Sequence, residues 1–248
     1  MGGLPGPPGT AAALGLPDAR RRHRVVPVPP DLRRGAHQVR VVACGRYPVK
    51  SLRGEDLPSV SLSARGVLLD RFWALRTPEG RVGSGKTTRR FVRMSSLPDM
   101  SAALVGDSPV VTLPSGVSLP LGAELDAAVS AVVDRPVVVA PENDVPHVDD
   151  QPIHLVTTAS LRWLGVPSPD WMIFRPNLVV DAPGSSRVED GWIGRRLQVG
   201  GALLSIVGPA VRCAMIGAYL REAPKFGVYA QVLRPATVSV GDAVTLSE

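Results

Sequence analysis

The chain has few of the residues on which many metal and hydrolytic sites depend. Its 248 residues include two cysteines, Cys44 and Cys213, and four histidines. Two cysteines are too few for a disulfide framework, and no two histidines have the spacing that places metal ligands on one face of a helix. No G-x-S-x-G segment is present, so a serine hydrolase has no local signature. The sequence therefore favours a reducing compartment and restricts any thiol chemistry to single cysteines.

The chain also lacks a long hydrophobic run. No segment reaches the roughly eighteen uninterrupted apolar residues that a membrane-spanning helix needs. The arginines Arg20–Arg22 are similar to a twin-arginine signal, but the apolar segment that such a signal requires does not follow them. We therefore expect a cytoplasmic protein without membrane insertion.

Positive charge is concentrated at the N-terminus. The formal net charge is +6, and residues 1–40 contribute +5 of it through seven arginines and two aspartates. Because the remainder of the chain is nearly neutral, the basic balance does not indicate a nucleic-acid partner. Residues 1–36 are rich in Pro, Gly, Ala and Arg without apolar periodicity, and this composition predicts a disordered tail.

Short apolar runs separated by turn residues fill the remainder of the chain, and such runs predict β-strands. They are Val39–Ala43, Val67–Leu75, Val110–Leu113, Val137–Ala140, Asn177–Asp181, Leu197–Val199, Leu203–Val207, Phe226–Leu233 and Thr237–Leu246. Gly200-Gly201 and Gly241-Asp242 are suited to tight turns between strands. The pattern predicts a mainly β fold with a few helices (α+β), built from two β-barrel-like modules with antiparallel strands.

Two segments have helical patterns. Leu121–Asp134 places its apolar residues on one face, and a proline soon after ends the run. Ala159–Leu164 predicts a second, short helix, with Thr157 or Thr158 as its N-cap and Gly165 as its stop.

The longer predicted helix and the apolar run that follows it suit a hinge between two modules. We place the boundary near residue 140. The predicted organisation is then a tail of residues 1–36, a first module of residues 37–140 and a second module of residues 141–248.

One segment matches the sequence pattern of a phosphate-binding loop, but its sequence context does not fit such a loop. Gly80–Thr87 satisfies G-x-x-x-x-G-K-[ST], but Thr77–Gly80 is a turn signal where a buried strand should lead in, and Thr88–Met94 lacks a helical face. We therefore reject a nucleotide hydrolase. Two interpretations stay open: the segment is a mobile basic hairpin tip, or it forms an anion-binding rim. The rim residues would be Gly83, Gly85, Lys86, Thr87 and Arg90.

Several motifs resemble one known family when they are taken in order. They are Tyr47–Gly54, Leu69–Leu75, His154–Leu161, Phe174–Val180, Glu189–Gly194, Val211–Cys213 and Phe226–Tyr229. Their order and spacing resemble the family named for the C-terminal domain of molybdenum cofactor sulfurase, the MOSC family, in its two-module form. The resemblance covers about residues 39–247 and implies an N-terminal MOSC β-barrel followed by a MOSC domain.

The resemblance implies a molybdenum cofactor, in which a pterin dithiolene holds the metal and ends in a phosphate. Cys213 matches the family's metal ligand, and a thiolate suits a soft metal that is already bound to sulfur. Arg212 beside it would favour the ionised thiol. Lysine and arginine side chains suit the phosphate. The positions that match the family's cofactor-binding residues are Lys50, Ser51, Arg71, Thr158, Ser160, Arg175, Asn177, Arg212 and Tyr229.

Local chemistry gives some of these positions a specific expectation. Pro176 should bias Arg175 toward an extended backbone and so fix the direction of its guanidinium. The amide of Asn177 would read the donors and acceptors of the pterin. Thr158 and Ser160, at the start of the short helix, would form an anion site. The apolar neighbours of His154 instead indicate a core or cleft residue.

The leading functional hypothesis is a molybdenum-dependent oxidoreductase that reduces small N-oxygenated substrates by oxygen-atom transfer. With two cysteines the chain cannot hold its own Cys-ligated iron–sulfur cluster, so electrons would come from a separate flavin, haem or iron–sulfur protein. A second hypothesis is a cofactor carrier or sulfur-transfer module that uses a persulfide on Cys213. A third is a structural or regulatory protein with an empty cleft.

Overall fold

The structure, a computed structural model, describes residues 39–143, 146–148, 150–165, 168–210 and 227–247. The predicted tail of residues 1–36 lies outside this part of the chain, as do Arg212 and Cys213. Within it the chain is mainly β with two α-helices, so the predicted fold class is confirmed. None of the helices in the described residues has the length and apolar character needed to cross a membrane.

The elements are short, as expected for strands that turn residues interrupt. The strands of the first half are β1 Val41–Arg46, β2 Glu55–Leu57, β3 Ser59–Ser63, β4 Gly66–Val67, β5 Trp73–Arg76, β6 Val82–Ser84, β7 Phe91–Arg93, β8 Ser101–Val105, β9 Ser108–Thr112, β10 Ser118–Pro120 and β11 Val138–Pro141. Those of the second half are β12 Ile153–Thr157, β13 Leu178–Val180, β14 Arg196–Val199, β15 Ala202–Pro209, β16 Val228–Arg234, β17 Thr237–Ser239 and β18 Val244–Ser247. The helices are α1 Ala123–Val132, α2 Thr158–Leu164 and the 3-10 segments Leu97–Asp99, Ser168–Phe174 and Val188–Trp192.

The largest sheet has eight strands in the order β18-β14-β15-β16-β12-β13-β1-β2. All neighbours in it are antiparallel except β12 and β13, which run parallel. Its apolar side chains, among them Leu155, Leu178 and Leu204, build one hydrophobic core. This core is the larger of the two main ones in the described residues.

The second core belongs to the middle of the first half. It is enclosed by the four-stranded sheet β11-β5-β6-β7, the three-stranded sheet β10-β9-β8 and helix α1. Leu125 and Val129, one helical turn apart, place the apolar face of α1 on this core, as the spacing of the sequence predicts.

The two halves of the chain exchange strands. β1 and β2 belong to the first half but pair within the eight-stranded sheet, and β17, near the C-terminus, pairs with β3. Residues such as Val60 and Leu62 therefore pack in the core formed mainly by the second half. The segments around residues 47–52 and 69–72 follow strands that pack on the larger core, and their own apolar residues pack on the second core. Both segments contribute to the site. The boundary near residue 140 stays a prediction.

Helix α2 forms as the sequence predicts. Its N-cap is Thr157, whose hydroxyl accepts a hydrogen bond from the backbone N–H of Ser160 at 3.2 Å. Gly165 ends it in the left-handed conformation with φ 70°.

The predicted continuous strand Val67–Leu75 is wrong. β4 ends at Val67 and β5 begins at Trp73, and between them Leu69 and Arg71 have positive φ values of 61° and 53°. The backbone N–H of Arg71 donates to the carbonyl oxygen of Tyr47 at 2.7 Å, so a tertiary contact holds this turn. The apolar sequence of this segment gave no indication that the chain reverses direction here.

Candidate functional site

The phenol ring of Tyr47 is the centre of a buried polar cluster. The residue is 0% exposed, its backbone N–H donates to Oδ1 of Asp70 at 2.7 Å, and its hydroxyl donates to the carbonyl oxygen of Pro176 at 3.0 Å. The guanidinium groups of Arg71 and Arg175 lie 5.3 and 4.5 Å from the ring centroid. Burial raises the pKa of the Tyr47 phenol although both arginines oppose the shift, so the ring stays neutral.

Arg71 and Arg175 are joined to each other and to the first half of the chain. Nη2 of Arg71 donates to the carbonyl oxygen of Arg175 at 3.1 Å, and Nη1 of Arg175 donates to the carbonyl oxygen of Leu52. Arg71 also forms an ion pair with Asp70. Burial disfavours the charge on Arg71, but the carboxylate of Asp70, together with Tyr47 and Tyr229, outweighs this effect and raises the pKa of the guanidinium. The guanidinium of Arg71 is therefore firmly charged.

The backbone of Arg175 is not extended, so that expectation is wrong. Its φ is 59°, although a residue that precedes proline usually avoids this region. Arg175 follows the 3-10 segment that ends at Phe174, and its N–H donates to the carbonyl oxygen of Met172 at 3.0 Å. It therefore takes the left-handed position in which helices commonly end, usually with glycine there. A side chain with tertiary partners holds a conformation that its local sequence disfavours.

Lys50 and Ser51 approach the cluster from the turn after β1. Lys50 is 3% exposed, its N–H donates to the carbonyl oxygen of Trp73 at 2.7 Å, and its Nζ lies 5.0 Å from the centroid of the Phe91 ring. Ser51 has a φ of 70°, and its hydroxyl donates to the carbonyl oxygen of Gly83 at 3.4 Å. Lys50 is therefore a buried cation, and the low dielectric of the interior strengthens its attraction to a nearby anion.

Asn177 holds backbone segments together at the edge of the cluster. Its Nδ2 donates to the carbonyl oxygen of Gly45 at 3.3 Å, and its Oδ1 accepts from the backbone N–H of His154 at 3.1 Å. These bonds link β1 to β12. Contact of the amide with a pterin stays a prediction, since the structure uses both ends of the amide on backbone.

Tyr229 and His154 face each other across the β12–β16 pair. They are direct partners in the register, and their rings meet edge to face with centroids 5.7 Å apart. His154 is buried, as expected for a core or cleft residue. Tyr229 also makes a small contribution to the raised pKa of Arg71, less than those of Asp70 and Tyr47, so it lies near the cluster.

Thr158 and Ser160 lie at the start of α2 and donate to carboxylates. The Thr158 hydroxyl donates to Oδ1 of Asp181 at 2.7 Å, and the Ser160 hydroxyl donates to Oε1 of Glu189 at 2.6 Å. Glu189 is 0% exposed, and burial raises its pKa although hydroxyl donors oppose the shift. Because carboxyl groups of the protein already accept hydrogen bonds from these hydroxyls, the expected anion site at this helix gains no support from the geometry.

Sequence reasoning gave no role to three residues that shape the site: Tyr47, Asp70 and His147. His147 is 0% exposed, and its Nδ1 lies 3.2 Å from the carbonyl oxygen of Arg71 and 3.1 Å from that of Phe72. Burial, with the adjacent Arg76, lowers the pKa of His147 to about 4, so it is neutral near pH 7. Tyr47 and Asp70 stand inside the motifs quoted above, but His147 had no local signal.

Of the two cysteines, only Cys44 lies within the described residues. Cys44 is 0% exposed in the larger core, and burial raises the pKa of its thiol to about 12. Such a thiol is neither a nucleophile nor a metal ligand at neutral pH. Cys213, the predicted metal ligand, and Arg212 lie outside the described residues.

The phosphate-motif segment does not fold as a phosphate loop. Val82–Ser84 forms the buried strand β6, the chain then reaches β7 without a helix, and of the three motif glycines only Gly80 has a positive φ. The hairpin interpretation is also wrong, because β6 and β7 run parallel. The segment between them is a crossover that carries Lys86 and Arg90 beside Phe91.

Taken together, these features define a mainly β protein in which segments from both halves of the chain meet at a buried cationic cluster. The sequence profile of the MOSC N-terminal beta barrel domain matches residues 38–125, and that of the MOSC domain matches residues 131–245. The chain therefore belongs to the MOSC family. MOSC domains are linked to molybdenum cofactor binding and to sulfurase-like proteins.

The solved structures that match the chain are distant from it in sequence. The YuaD protein from Bacillus subtilis is 14% identical, with 84% of this chain and 94% of that one covered at a TM-score of 0.42. YiiM from Geobacillus stearothermophilus is 19% identical, with 40% of this chain and 55% of that one covered at a TM-score of 0.33. No curated protein matches the chain. The family assignment therefore rests on the two domain profiles.

Proposed function

We propose that this protein is a molybdenum-cofactor-dependent oxidoreductase that reduces small N-oxygenated compounds by oxygen-atom transfer. The observation that carries the proposal is the meeting of Arg71 and Arg175 around Tyr47, with the buried Lys50 in the turn that follows Tyr47, in a chain whose domains are of the cofactor-binding type. This set of donors suits the anionic end of the pterin cofactor. It comes from three separate segments, so it exists only in the folded chain.

The charge of the cluster fits a phosphate. Lys50 and Arg175 are 3% and 8% exposed, and Asp70 supplies a carboxylate through its pair with Arg71. Positive charge in a region of low dielectric attracts an anion more strongly than the same charge in water, so an anionic ligand would be bound with favourable electrostatics. Guanidinium groups add directed, charge-assisted hydrogen bonds to phosphate oxygens.

The thiol chemistry narrows the choice of metal ligand. The chain has two cysteines, and the raised pKa and full burial of Cys44 remove it as a thiolate donor. A protein thiolate on molybdenum would therefore come from Cys213. This agrees with the position of Cys213 in the family's motif order.

The chain's own residues bind and orient. Asp70 fixes the Arg71 guanidinium, and the neutral Tyr47 ring gives both arginines an apolar face on which to lie. When bound, the cofactor supplies the redox and oxygen-atom-transfer chemistry. Electrons would come from a separate flavin, haem or iron–sulfur protein, since two cysteines are too few to hold a Cys-ligated iron–sulfur cluster.

The test is a comparison of molybdenum content and turnover in protein made by a host that synthesises molybdopterin. The wild-type chain should hold close to one molybdenum and reduce a hydroxylamine or amidoxime with an artificial electron donor. Cys213→Ala should lose both, and Cys44→Ala, the matched control, should keep both if it folds.

Other outcomes point to the other hypotheses. Molybdenum without turnover, together with a persulfide on Cys213, would favour the carrier or sulfur-transfer function. A wild-type chain without molybdenum would contradict the proposal and favour the protein with an empty cleft.

A further inference from the structure

A basic segment lies beside the candidate cofactor site. Between residues 81 and 93 the sequence has five cations and no carboxylate, namely Arg81, Lys86, Arg89, Arg90 and Arg93. It contains the crossover from β6 to β7, and Lys86, Arg89 and Arg93 are exposed. The MOSC motifs noted above do not include this segment, so the cofactor site as described gives it no role.

Hydrogen bonds hold the crossover in place. Nη2 of Arg81 donates to the carbonyl oxygens of Thr88 and Phe91 at 2.9 and 2.6 Å. The Thr88 hydroxyl accepts from the N–H of Phe91 at 3.1 Å, and Nη2 of Arg90 donates to the carbonyl oxygen of Val148 at 3.2 Å. The segment therefore presents its cations at defined positions, as a binding site requires.

The ring of Phe91 connects this segment to the buried cluster. Nζ of Lys50 lies 5.0 Å from the ring centroid, Nζ of Lys86 lies 4.9 Å from it, and Cζ of Arg90 lies 4.5 Å from it. Since both ammonium nitrogens are within about 5 Å of one point, no more than about 10 Å separates them. Lys50 is buried and Lys86 is exposed, so the three cations lead from the interior to the surface.

We propose that Lys86 and Arg90 form an outer oxyanion subsite that, together with Lys50, binds the diphosphate group of a ligand. One phosphoryl group would lie at the buried end and the other at the surface end. Three cations within about 5 Å of one ring centroid offer several donors of charge-assisted hydrogen bonds, and such donors suit the oxygens of two linked phosphoryl groups. The inference rests on the proposed function, because Lys50 belongs to the cofactor cluster.

The ligand class is a diphosphate ester. It comes either from a pterin cofactor extended by a nucleotide or from a free nucleoside diphosphate that binds beside the cofactor. The crossover lacks the helix of a phosphate loop. We therefore assign ligand binding and specificity to this segment, and we do not assign hydrolysis to it.

The test is titration of the full-length, cofactor-free chain with inorganic pyrophosphate and inorganic phosphate by calorimetry. The wild-type chain should bind pyrophosphate more tightly than phosphate. Lys86→Gln should weaken pyrophosphate binding about tenfold or more, because it removes one charge-assisted hydrogen bond. Lys86→Arg should restore binding, and Arg196→Gln, which removes an exposed charge from β14, should leave it unchanged. Equal affinity of Lys86→Gln and wild type, or no binding of pyrophosphate by wild type, would overturn the proposal.

Two further measurements are needed. One distinguishes the two sources of the diphosphate, and the other distinguishes this proposal from the proposed function. Nucleotide released by acid from the cofactor-loaded chain identifies an extended cofactor, and tight binding of a nucleoside diphosphate without such release identifies a free ligand. Molybdenum retention is measured separately. If the chain retains molybdenum but binds pyrophosphate independently of Lys86, the proposed function stands and this subsite is wrong. If the chain retains no molybdenum but its pyrophosphate binding depends on Lys86, the subsite stands and the proposed function is wrong.

Discussion

Nη2 of Arg71 donates to the carbonyl oxygen of Arg175 at 3.1 Å, and both residues have positive φ values, 53° and 59°. Two arginines 104 positions apart thus each hold a backbone conformation that L-residues seldom adopt, and one side chain bonds to the backbone of the other. Their guanidinium groups share the ring of Tyr47. Backbone strain of this type concentrates at ligand sites, where the surrounding structure maintains it.

The strain at Arg175 predicts a difference between two substitutions. Arg175→Gly and Arg175→Gln both remove the guanidinium, but glycine adopts a positive φ without a steric cost. Arg175→Gly should therefore be more stable than Arg175→Gln by about 1 kcal/mol in the free energy of unfolding, and it should unfold at a higher temperature. Thermal denaturation of both variants in the cofactor-free state measures this difference. Equal stabilities would show that the backbone at this position is not strained.

The hydroxyl and the ring of Tyr47 have separable roles. Tyr47→Phe removes the hydrogen bond to the carbonyl oxygen of Pro176 and should cost about 1 to 3 kcal/mol of stability, since a buried acceptor loses its donor. The ring on which both arginines lie remains, so molybdenum retention should stay close to wild type. Chemical denaturation and metal analysis measure the two effects. Loss of molybdenum in Tyr47→Phe would assign the hydroxyl itself to the ligand.

Glu189 predicts a pH dependence of stability. Burial raises its folded-state pKa above the ordinary value of 4.5, so between these two pKa values the folded state binds more protons than the unfolded state. The contribution of Glu189 to stability is therefore lost as the pH rises through this window. Glu189→Gln should gain stability relative to wild type as the pH rises above 4.5. The exposed Glu124→Gln serves as control for denaturation curves at several pH values, and a pH-independent difference for Glu189→Gln would contradict the assignment.

Cys44 should resist modification in the folded chain. In a Cys213→Ala background it is the remaining cysteine, and burial together with a thiol pKa of about 12 keeps it protonated and inaccessible. A disulfide reagent at pH 8 should titrate no thiol in the native protein and one after unfolding. Rapid reaction of the native protein would show that the thiol is exposed.

Local patterns in the sequence predicted the elements that depend on local chemistry. The cap at Thr157, the stop at Gly165 and the apolar face of α1 follow from residues within a few positions of one another. Most of the predicted strand runs contain a strand for the same reason, but β2, β3, β6, β7, β8, β10 and β12 were not predicted. The MOSC motifs also identified most of the cationic residues that gather around Tyr47.

The sequence did not predict what distant contacts decide. The turn at Leu69–Arg71 and the positive φ of Arg175 oppose local preference, and partners more than twenty residues away hold them. The parallel pairing of β6 with β7 and the insertion of β1 into the larger sheet arise from strand partners that no local window contains. His147 owes its role to such packing alone.

The central claim is that the buried cations of the cluster retain an anionic molybdenum cofactor. The most direct measurement is the molybdenum content per chain of wild type, Arg175→Gln and Arg196→Gln, each purified from a host that makes molybdopterin. Arg175 is 8% exposed inside the cluster, whereas Arg196 is exposed on β14. We expect close to one molybdenum in wild type and Arg196→Gln and about a tenth of that or less in folded Arg175→Gln. Equal molybdenum in all three, or none in wild type, would contradict the account.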